Sequence, residues 1–284
     1  MSMQVIPLDA TFGATVTGLK LSELDEADFA DLYDHWLRYS LLVFPGQHLD
    51  NEQQVTFAKR FGALEIELVE LSNVKDDGSL RTAPDDDRIK ILKGNMGWHH
   101  DSTYMPVQAK GAVFRADTVP SHGGETGWAD MCAAYDALGD AIRNRIEGLS
   151  AHHSLIYSQG KAGFKHKDKD SEYSGYGLDQ DGAPLRPLVK THAETGRKTL
   201  TIGRHAHAVP GLSQADSEAL LTELVDFACQ PPRIYHHGWQ PGDVVVWDNR
   251  CLMHQACPWD MAERRVMFHS RLAGDPEHEF AAPH

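Results

Sequence analysis

The sequence is poor in cysteine and has neither a long apolar run nor an excess of basic residues. Its four cysteines among 284 residues lack the paired spacing of a zinc site or a disulfide framework, so we interpret them as reduced thiols of a cytoplasmic protein. No apolar run approaches the roughly 18 residues of a membrane span, and the N-terminus lacks the pattern of a secretory signal. The formal net charge of −14 argues against nucleic acid and anionic membranes as partners.

The composition is even along the chain, without an internal repeat or a low-complexity linker. We therefore predict a single domain over residues 1–284. The stretch 158–184 is rich in Lys, Asp, Gly and Ser, and this composition predicts a polar surface segment or lid.

Short apolar runs between turn signals predict a mainly β fold with flanking α-helices. Capping residues before helically spaced apolar residues predict helices at 25–40, 50–62 and 130–148 and a fourth that begins at Ser213. Alternating or buried runs predict strands at 41–44, 112–116, 198–202, 232–236, 243–248 and 264–272. The residues around His99 are predicted as a strand followed by a loop, and residues 73–90 as an exposed loop.

The pattern with the clearest chemical meaning is His99-His100-Asp101, followed much later in the chain by His254. In an extended strand, residues two apart face the same side, so His99 and Asp101 can converge on one ion. Two imidazoles and one carboxylate on one side of Fe(II) form the facial triad of non-heme oxygenases. By itself the triplet is also compatible with a polar strand end, because the chain contains 17 histidines.

Further motifs surround this pattern and run in one order across nearly the whole chain. They are Leu42-Val43-Phe44-Pro45-Gly46-Gln47, Phe57-Ala58-Lys59-Arg60-Phe61-Gly62, Trp98-His99-His100-Asp101-Ser102-Thr103, Gly123-Gly124-Glu125-Thr126, Trp247-Asp248-Asn249-Arg250 with His254, and Arg264-Arg265-Val266. Together they resemble the Fe(II)/2-oxoglutarate dioxygenases of the taurine dioxygenase and 2,4-dichlorophenoxyacetate dioxygenase family. The stretches 71–74 and 129–135 are more similar to the phenoxyacetate branch.

The resemblance implies a double-stranded β-helix, a cupin-like jelly roll, with the metal at one open end. It implies that His99, Asp101 and His254 bind Fe(II). It also implies that Arg265, eleven residues after His254, pairs with the distal carboxylate of 2-oxoglutarate, and that Thr126 hydrogen-bonds the same cosubstrate. With O2 as the second cosubstrate, this centre yields succinate and CO2 and hydroxylates a substrate C–H bond. By analogy with the family, the flanking helices are compatible with a homodimer or homotetramer.

The strand predicted at 264–272 carries the question of the substrate, because alternation puts Arg265, His269 and Arg271 on one face. In the relatives, a second Arg four positions after the cosubstrate Arg binds the acidic group of the substrate. Here His269 stands at that position, and Arg271 is either its replacement or a solvated charge at the strand end. Asn95, four residues before His99, matches a position that contacts taurine and is a third candidate for substrate binding.

A second departure from the taurine enzyme is acidic. Glu65, Glu67 and Glu70 occupy a stretch where that enzyme presents polar, uncharged-to-basic contacts, and carboxylates in the pocket would repel a sulfonate, unless they are surface charges. We therefore predict that the enzyme hydroxylates an sp3 C–H bond of a small organic acid or ether, phenoxyalkanoate-like, with possible ether cleavage. Two alternatives stay open at this point: a zinc hydrolase on the same three ligands, and a non-enzymatic jelly-roll protein that binds small ligands.

Overall fold

The computed structural model describes residues 3–83, 86–163 and 182–281. The described residues form fifteen strands: β1 Gln4–Pro7, β2 Ala14–Thr17, β3 Leu41–Phe44, β4 Leu64–Ser72, β5 Gly111–Thr118, β6 Thr126–Asp130, β7 Ser150–His153, β8 Leu185–Pro187, β9 Val189–Thr191, β10 Lys198–Leu200, β11 Ala206–His207, β12 Ile234–His237, β13 Val244–Asp248, β14 Leu252–Ala256 and β15 Val266–Leu272. They also form eight α-helices: α1 Glu26–Tyr39, α2 Asn51–Lys59, α3 Asp87–Gly94, α4 Met131–Ala137, α5 Asp140–Ile146, α6 Leu155–Lys161, α7 Gln214–Ala228 and α8 Pro276–Glu279. Across these ranges, no helix is long and apolar enough to cross a membrane.

Two sheets form the centre of the fold. The large sheet has seven strands in the order β1-β2-β3-β13-β5-β15-β4, and a second sheet has three strands in the order β12-β6-β14. Smaller sheets, β11-β7-β8 and β10-β9, complete the described part. Sheets on either side of one core, with helices outside, make a jelly roll, and the predicted mainly β class with flanking helices is confirmed.

Alternation along the strands explains why the sheets face each other. In β13, Val245 and Trp247 belong to the same buried cluster as Trp128 of β6 and Leu252 of β14, which places that cluster between the two sheets. Val244, one residue earlier in the chain, instead belongs to the cluster that packs against α1 and α2. One strand therefore contributes to two apolar layers.

The three-stranded sheet has the same two-sided character. Ala129 and Met253, each one residue away from an inward-facing side chain, pack with Leu220 and Leu224 of α7. Helices therefore cover the outer face of each sheet, and the interior between the sheets is left to the side chains that will form the site.

Several predicted helices are confirmed together with their caps. The Asp25 side chain accepts a hydrogen bond from the backbone N–H of Asp28 at 2.8 Å, and Ser40 ends α1 in the left-handed region with φ of 63°. At the start of α2, Asp50 and Gln53 form a reciprocal capping box. These short-range contacts are local enough to be read from the order of residue types.

Two predicted elements are wrong because a local backbone feature interrupts them. The predicted helix 130–148 is two helices, α4 and α5, since Leu138 and Gly139 have extended backbone with ψ of 139° and 154°. The segment at His99 is no strand: it forms an isolated bridge to His254, and Ser102, with φ of 57°, turns the chain directly afterwards.

Two predicted loops also change. Residues 73–90 are not loop throughout, because Val74 pairs with Leu80 and α3 begins at Asp87, with the Asp86 side chain as its cap. The polar segment 158–184 begins inside α6, where Ser158 is buried. Most of that predicted lid falls on residues 164–181, which lie outside the described residues.

Candidate active site

The structure brings the three predicted metal ligands together in the interior of the jelly roll. His99, Asp101 and His254 are buried, and each offers a ligand atom within 4.8 Å of the other two. The rings of His99 and His254 have centroids 4.2 Å apart, and His254 Nε2 lies 3.8 Å from Asp101 Oδ2. Two imidazoles and one carboxylate are the donor set of a divalent first-row metal such as Fe(II).

Backbone pairing sets the relative position of the two histidines. His99 N donates to His254 O at 2.9 Å, and His254 N donates to His99 O at 2.8 Å. His254 itself lies on β14, which is held on one side by β6. The bridge is short, but it joins residues that are far apart in the chain and holds their two side chains beside each other.

Asn249 positions the third ligand. Its Oδ1 accepts from the Asp101 backbone N–H at 2.7 Å, and its Nδ2 donates to Asp101 O at 3.0 Å and to Ala109 O at 2.9 Å. The Asn249 side chain is fully buried. The turn between β13 and β14 therefore anchors the segment that carries Asp101, in addition to leading the chain to His254.

The three groups are in the protonation states that bind metals. Burial and the neighbouring His254 hold the pKa of His99 well below its usual value, and burial lowers the pKa of His254 to about 4. Burial alone would raise the pKa of Asp101, but Arg271 and then His254 outweigh it and keep that pKa well below the usual range. At neutral pH the site therefore offers two neutral imidazoles and a carboxylate.

Hydrogen bonding orients the ligands as well. His99 Nδ1 donates to Gly97 O at 2.7 Å, which fixes the tautomer and leaves Nε2 as the ligand atom. Asp101 Oδ2 is buried without a hydrogen-bond partner among the described residues. An orphaned buried carboxylate oxygen between two imidazoles is the arrangement that a bound cation would satisfy.

These residues lie on the wall of a cavity of about 630 Å³. This is a volume typical of sites for small molecules. One part of the wall is apolar, with Ile66, Val69, Leu71, Ile91, Leu92 and Leu155. Another part carries Thr126 and Arg265, so the cavity joins the metal-ligand cluster to the residues predicted for the cosubstrate.

Arg265 is prepared to bind an anion. Its backbone N–H donates to Asn73 Oδ1 at 2.8 Å, its Nε donates to Gly124 O at 3.1 Å, and its guanidinium lies 5.0 Å from the centre of the Trp259 ring. Burial lowers the pKa of Arg265 to about 10, so the group is still a cation at neutral pH. Nη2 is buried and has no hydrogen-bond partner in the described part of the chain, which fits a carboxylate ligand.

Thr126, the other residue predicted for the cosubstrate, lies in the same cavity. It opens β6, and its Oγ1 accepts a hydrogen bond from Trp239 Nε1 at 3.0 Å. Because a hydroxyl can accept and donate at once, the Thr126 proton is available to a second acceptor.

The predicted substrate residues have more varied positions. His269 and Arg271 line the cavity from β15, which begins directly after Arg265, but both approach the metal carboxylate. Arg271 Nη2 donates to Asp101 Oδ1 at 3.0 Å, and His269 Nε2 lies 3.5 Å from Asp101 Oδ2. The register of β15 shifts between these two residues, so strict alternation ends there. Asn95, at the end of α3, lines the cavity as predicted.

The three glutamates differ from one another. Glu65 accepts from Ser102 Oγ at 2.8 Å, close to the metal-ligand segment. Glu67 is exposed and pairs with Lys59 at 2.7 Å, as a surface charge would. Glu70 lines the cavity. Glu65 and Glu67 would share a face in a regular strand, but the pairing of β4 with β15 shifts register in this stretch, so the acidic residues have different environments.

Sequence reasoning missed another group of cavity residues, Tyr104, Arg204 and His205. The His205 ring packs against His99 at 5.7 Å and against Tyr104 at 4.8 Å between centroids. The available signal was Gly203, where a Cβ would lie 2.8 Å from Trp98 O, so the chain can only pass this close to the metal-ligand segment without a side chain.

Comparison with known proteins identifies the class. Residues 4–270 match the family described as "Taurine catabolism dioxygenase TauD, TfdA family". The chain therefore belongs to this family of dioxygenases. The predicted family and enzyme class are confirmed, and the alternative of a non-enzymatic binding protein is wrong.

Individual relatives are similar to this chain over nearly their whole lengths. The chain is 65% identical to the (S)-phenoxypropionate/alpha-ketoglutarate-dioxygenase of Sphingobium herbicidovorans, covering 100% of this chain and 99% of that protein. It is 58% identical to the protein of the same name from Delftia acidovorans, covering 99% and 98%. The crystal structure of AAD-2 in complex with Mn(II) and N-oxalylglycine superposes with a TM-score of 0.90 at 35% identity, covering 100% of both chains. The predicted jelly-roll fold and the phenoxyalkanoate branch are confirmed.

Proposed function

We propose that this enzyme hydroxylates phenoxyalkanoates, with (S)-2-phenoxypropionate-type acids as its preferred substrates. The relatives from Sphingobium and Delftia, both named for (S)-phenoxypropionate, support this substrate class. The observation that carries the proposal is a single cavity that holds the metal-ligand cluster, the unsatisfied Arg265 nitrogen and an apolar wall. The family disfavours the alternative of a zinc hydrolase on the same ligands.

The cofactors are Fe(II), 2-oxoglutarate and O2, as in the α-ketoglutarate-dependent relatives. We assign His99, Asp101 and His254 to the metal. When bound, iron and the cosubstrate supply oxidative decarboxylation of 2-oxoglutarate to succinate and CO2, coupled to hydroxylation of the substrate. The chain contributes binding and orientation: Arg265 donates hydrogen bonds to the distal carboxylate of 2-oxoglutarate, and the Thr126 hydroxyl donates another to the same cosubstrate.

The product follows from the substrate's chemistry. In a 2-phenoxypropionate, the carbon that carries the ether oxygen also carries one hydrogen, the methyl group and the carboxylate. Replacing that hydrogen by hydroxyl gives an unstable hemiketal. The bond between its central carbon and the ether oxygen then breaks, the new hydroxyl becomes the ketone of pyruvate, and the ether oxygen leaves with a proton as a phenol. The apolar wall with Leu71, Ile91 and Leu155 is suited to the aromatic ring, because contact with it removes apolar surface from water.

Substrate contacts are proposed from the remaining polar residues of the cavity. Asn95 can donate its amide N–H to the substrate's carboxylate or ether oxygen. Arg204 lies on the cavity wall near His99, where its charge helps to lower the pKa of that ligand. We therefore assign the substrate carboxylate to the side of the cavity that Arg204 and Asn95 share.

The test is succinate release and oxygen uptake with a panel of acids. We expect turnover of (S)-2-phenoxypropionate to exceed that of its (R) enantiomer and of phenoxyacetate, and we expect no turnover of taurine. Succinate release that no phenoxyalkanoate stimulates, or a preference for taurine, would overturn the substrate assignment. A single domain over 1–284, a dimer or tetramer, and a cytoplasmic location remain predictions; light scattering measures the second of these.

A further inference from the structure

We propose that Arg271, supported by Ser102 and Glu65, is a positioning residue that holds the metal carboxylate Asp101, and is not the anion site for the substrate. The inference rests on the proposed metal centre. It differs from both possibilities that the sequence left open for Arg271, a replacement for the substrate-binding Arg of the relatives and a solvated charge at the strand end.

The guanidinium of Arg271 is held between two acidic residues. Nη2 donates to Asp101 Oδ1 at 3.0 Å, and Nη1 lies 3.7 Å from Glu65 Oε1. The side chain of Arg271 is only 11% exposed, and those of Asp101 and Glu65 are 9% and 20% exposed. Ion pairs this well buried have little competition from water.

Ser102 links the same groups through its hydroxyl. Ser102 Oγ accepts from Arg271 Nη1 at 3.2 Å and lies 2.8 and 2.9 Å from the two carboxylate oxygens of Glu65, to which it donates its proton. Ser102 is fully buried and has φ of 57°, a backbone conformation that is unfavourable for a residue with a side chain. That backbone conformation is maintained directly after Asp101, where it turns the hydroxyl toward Arg271 and Glu65.

The contact selects one oxygen of Asp101 for the metal. Oδ1 is occupied by the Arg271 hydrogen bond, whereas Oδ2 has no hydrogen bond of regular length and angle among the described residues and faces His269 Nε2 at 3.5 Å and His254 Nε2 at 3.8 Å. A carboxylate with one oxygen held by a cation presents the other in a fixed direction. Hydrogen bonds to ligating carboxylates of this kind commonly change metal affinity by about 10–100-fold when they are removed.

The same contacts argue against binding of a substrate anion. The buried carboxylate of Asp101 and the partly buried carboxylate of Glu65 already flank the Arg271 charge, so a third carboxylate would have to displace one of them or lie against both. Displacing Asp101 would leave a buried carboxylate without its partner, which is strongly unfavourable. The position on the strand that faces the cavity is therefore used to hold the metal ligand.

The experiment compares Arg271→Gln, Arg271→Lys and Glu65→Gln with the wild type. Anaerobic calorimetric titration with Fe(II) measures metal affinity, and steady-state assays at saturating Fe(II) measure the KM for (S)-2-phenoxypropionate. We expect the Fe(II) Kd to rise about 10–100-fold in Arg271→Gln and less in Glu65→Gln, with partial recovery in Arg271→Lys. The KM at saturating metal should change by less than about threefold.

Arg264→Gln is the matched control, because Arg264 is an exposed neighbour whose Nη2 donates to Gly78 O at 2.8 Å. Its Fe(II) affinity should equal that of the wild type. If Arg271→Gln does not fold, as judged by circular dichroism, Ser102→Ala and Glu65→Gln are used instead, because both leave the guanidinium in place. We expect each of them to raise the Fe(II) Kd by a smaller factor.

An unchanged Fe(II) Kd in the folded variants overturns the proposal, and a tenfold or larger rise in substrate KM at saturating metal would establish the anion site instead. Failure of the proposed function is a separate result: wild-type protein would then give no visible absorption with Fe(II) and 2-oxoglutarate under anaerobic conditions.

Discussion

Arg265 donates through its backbone N–H and its Nε, yet its buried Nη2 has no partner among the described residues. A buried guanidinium N–H without an acceptor costs free energy, so this arrangement is expected where a ligand completes it. Gly124 allows the approach, because a Cβ there would lie 3.2 Å from Arg265 Nε. This geometry supports the proposal that Arg265 binds the distal carboxylate of 2-oxoglutarate.

Replacing Arg265 by Ala should raise the 2-oxoglutarate requirement steeply, since a buried charged hydrogen bond is worth about 2–5 kcal/mol. Arg265→Lys should recover only part of this, because lysine lacks the planar fork. The KM for 2-oxoglutarate, measured by succinate release, is the readout, and Arg264→Ala is the exposed control. An Arg265→Ala enzyme with the wild-type KM would remove this residue from the cosubstrate site.

For single residues, the sequence indicated well which ones belong to the site and less well which contacts they make. The family resemblance implied that His99, Asp101 and His254 converge, and the structure brings these three residues together. The surroundings of Arg271 could not be predicted, because they depend on Glu65, which comes from a different strand, and on the turned backbone of Ser102. No motif encodes a contact of that kind.

The elements that deliver the ligands differ in length and regularity. β14 is a regular strand that carries His254, whereas His99 is held by one bridge to it. No regular strand holds the segment around His99. Instead, Asn249 in the turn after β13 accepts a hydrogen bond from the Asp101 N–H and donates one to the Asp101 carbonyl. The Asn249 side chain therefore satisfies backbone groups that a neighbouring strand satisfies in a regular sheet.

Asn249→Asp tests this arrangement with almost no change of shape. A carboxylate cannot donate to Asp101 O or Ala109 O, so two buried carbonyls lose their partner and a charge is buried beside them. We expect the free energy of unfolding to fall by about 2–4 kcal/mol, measured by urea denaturation. The same substitution at exposed Asn144 should leave it within about 0.5 kcal/mol. Equal stability of the two variants would refute the anchoring role.

Elements with local signals were predicted best. α1 and α2 have side-chain caps within three residues of their starts, and these caps are visible in the order of residue types. The split between α4 and α5 and the isolated bridge at His99 were missed, because the backbone at Gly139 and Ser102 is set by packing in the folded chain. Tertiary contacts override local preference at such points.

The whole molecule buries several imidazoles without giving each a partner. His153 is fully buried, neither of its ring nitrogens has a hydrogen-bond partner among the described residues, and burial followed by Arg186 lowers its pKa well below the usual value. The folded state therefore keeps His153 neutral, while the unfolded chain can protonate it below about pH 6.5.

The lowered pKa of His153 makes the folded state less stable at low pH. Below about pH 6.5 the unfolded state binds a proton that the folded state excludes, so stability falls as the pH falls, by up to about 1.4 kcal/mol per pH unit for one histidine. His153→Leu should make the loss of unfolding free energy between pH 7 and pH 5 smaller, whereas His122→Leu at an exposed position should not. Urea denaturation at both pH values gives the comparison, and parallel losses in wild type and His153→Leu would contradict the assignment.

The architecture as a whole was within reach of the sequence because alternation decides which side chains lie between the sheets. Val245 and Trp247 face one layer and Val244 the other, as a period of two requires. The cavity could not be predicted from the sequence, because its apolar wall combines residues from β4, α3 and α6 that no single sequence pattern links.

The central claim is that His99, Asp101 and His254 hold an iron to which 2-oxoglutarate binds. Its most direct test is the visible absorption spectrum of the protein with Fe(II) and 2-oxoglutarate under anaerobic conditions, for wild type and for His254→Ala, after circular dichroism has shown that the variant is folded. The account predicts a weak charge-transfer band in the wild type and its loss in His254→Ala. A wild-type spectrum without the band, or a band that persists in the folded variant, would contradict it.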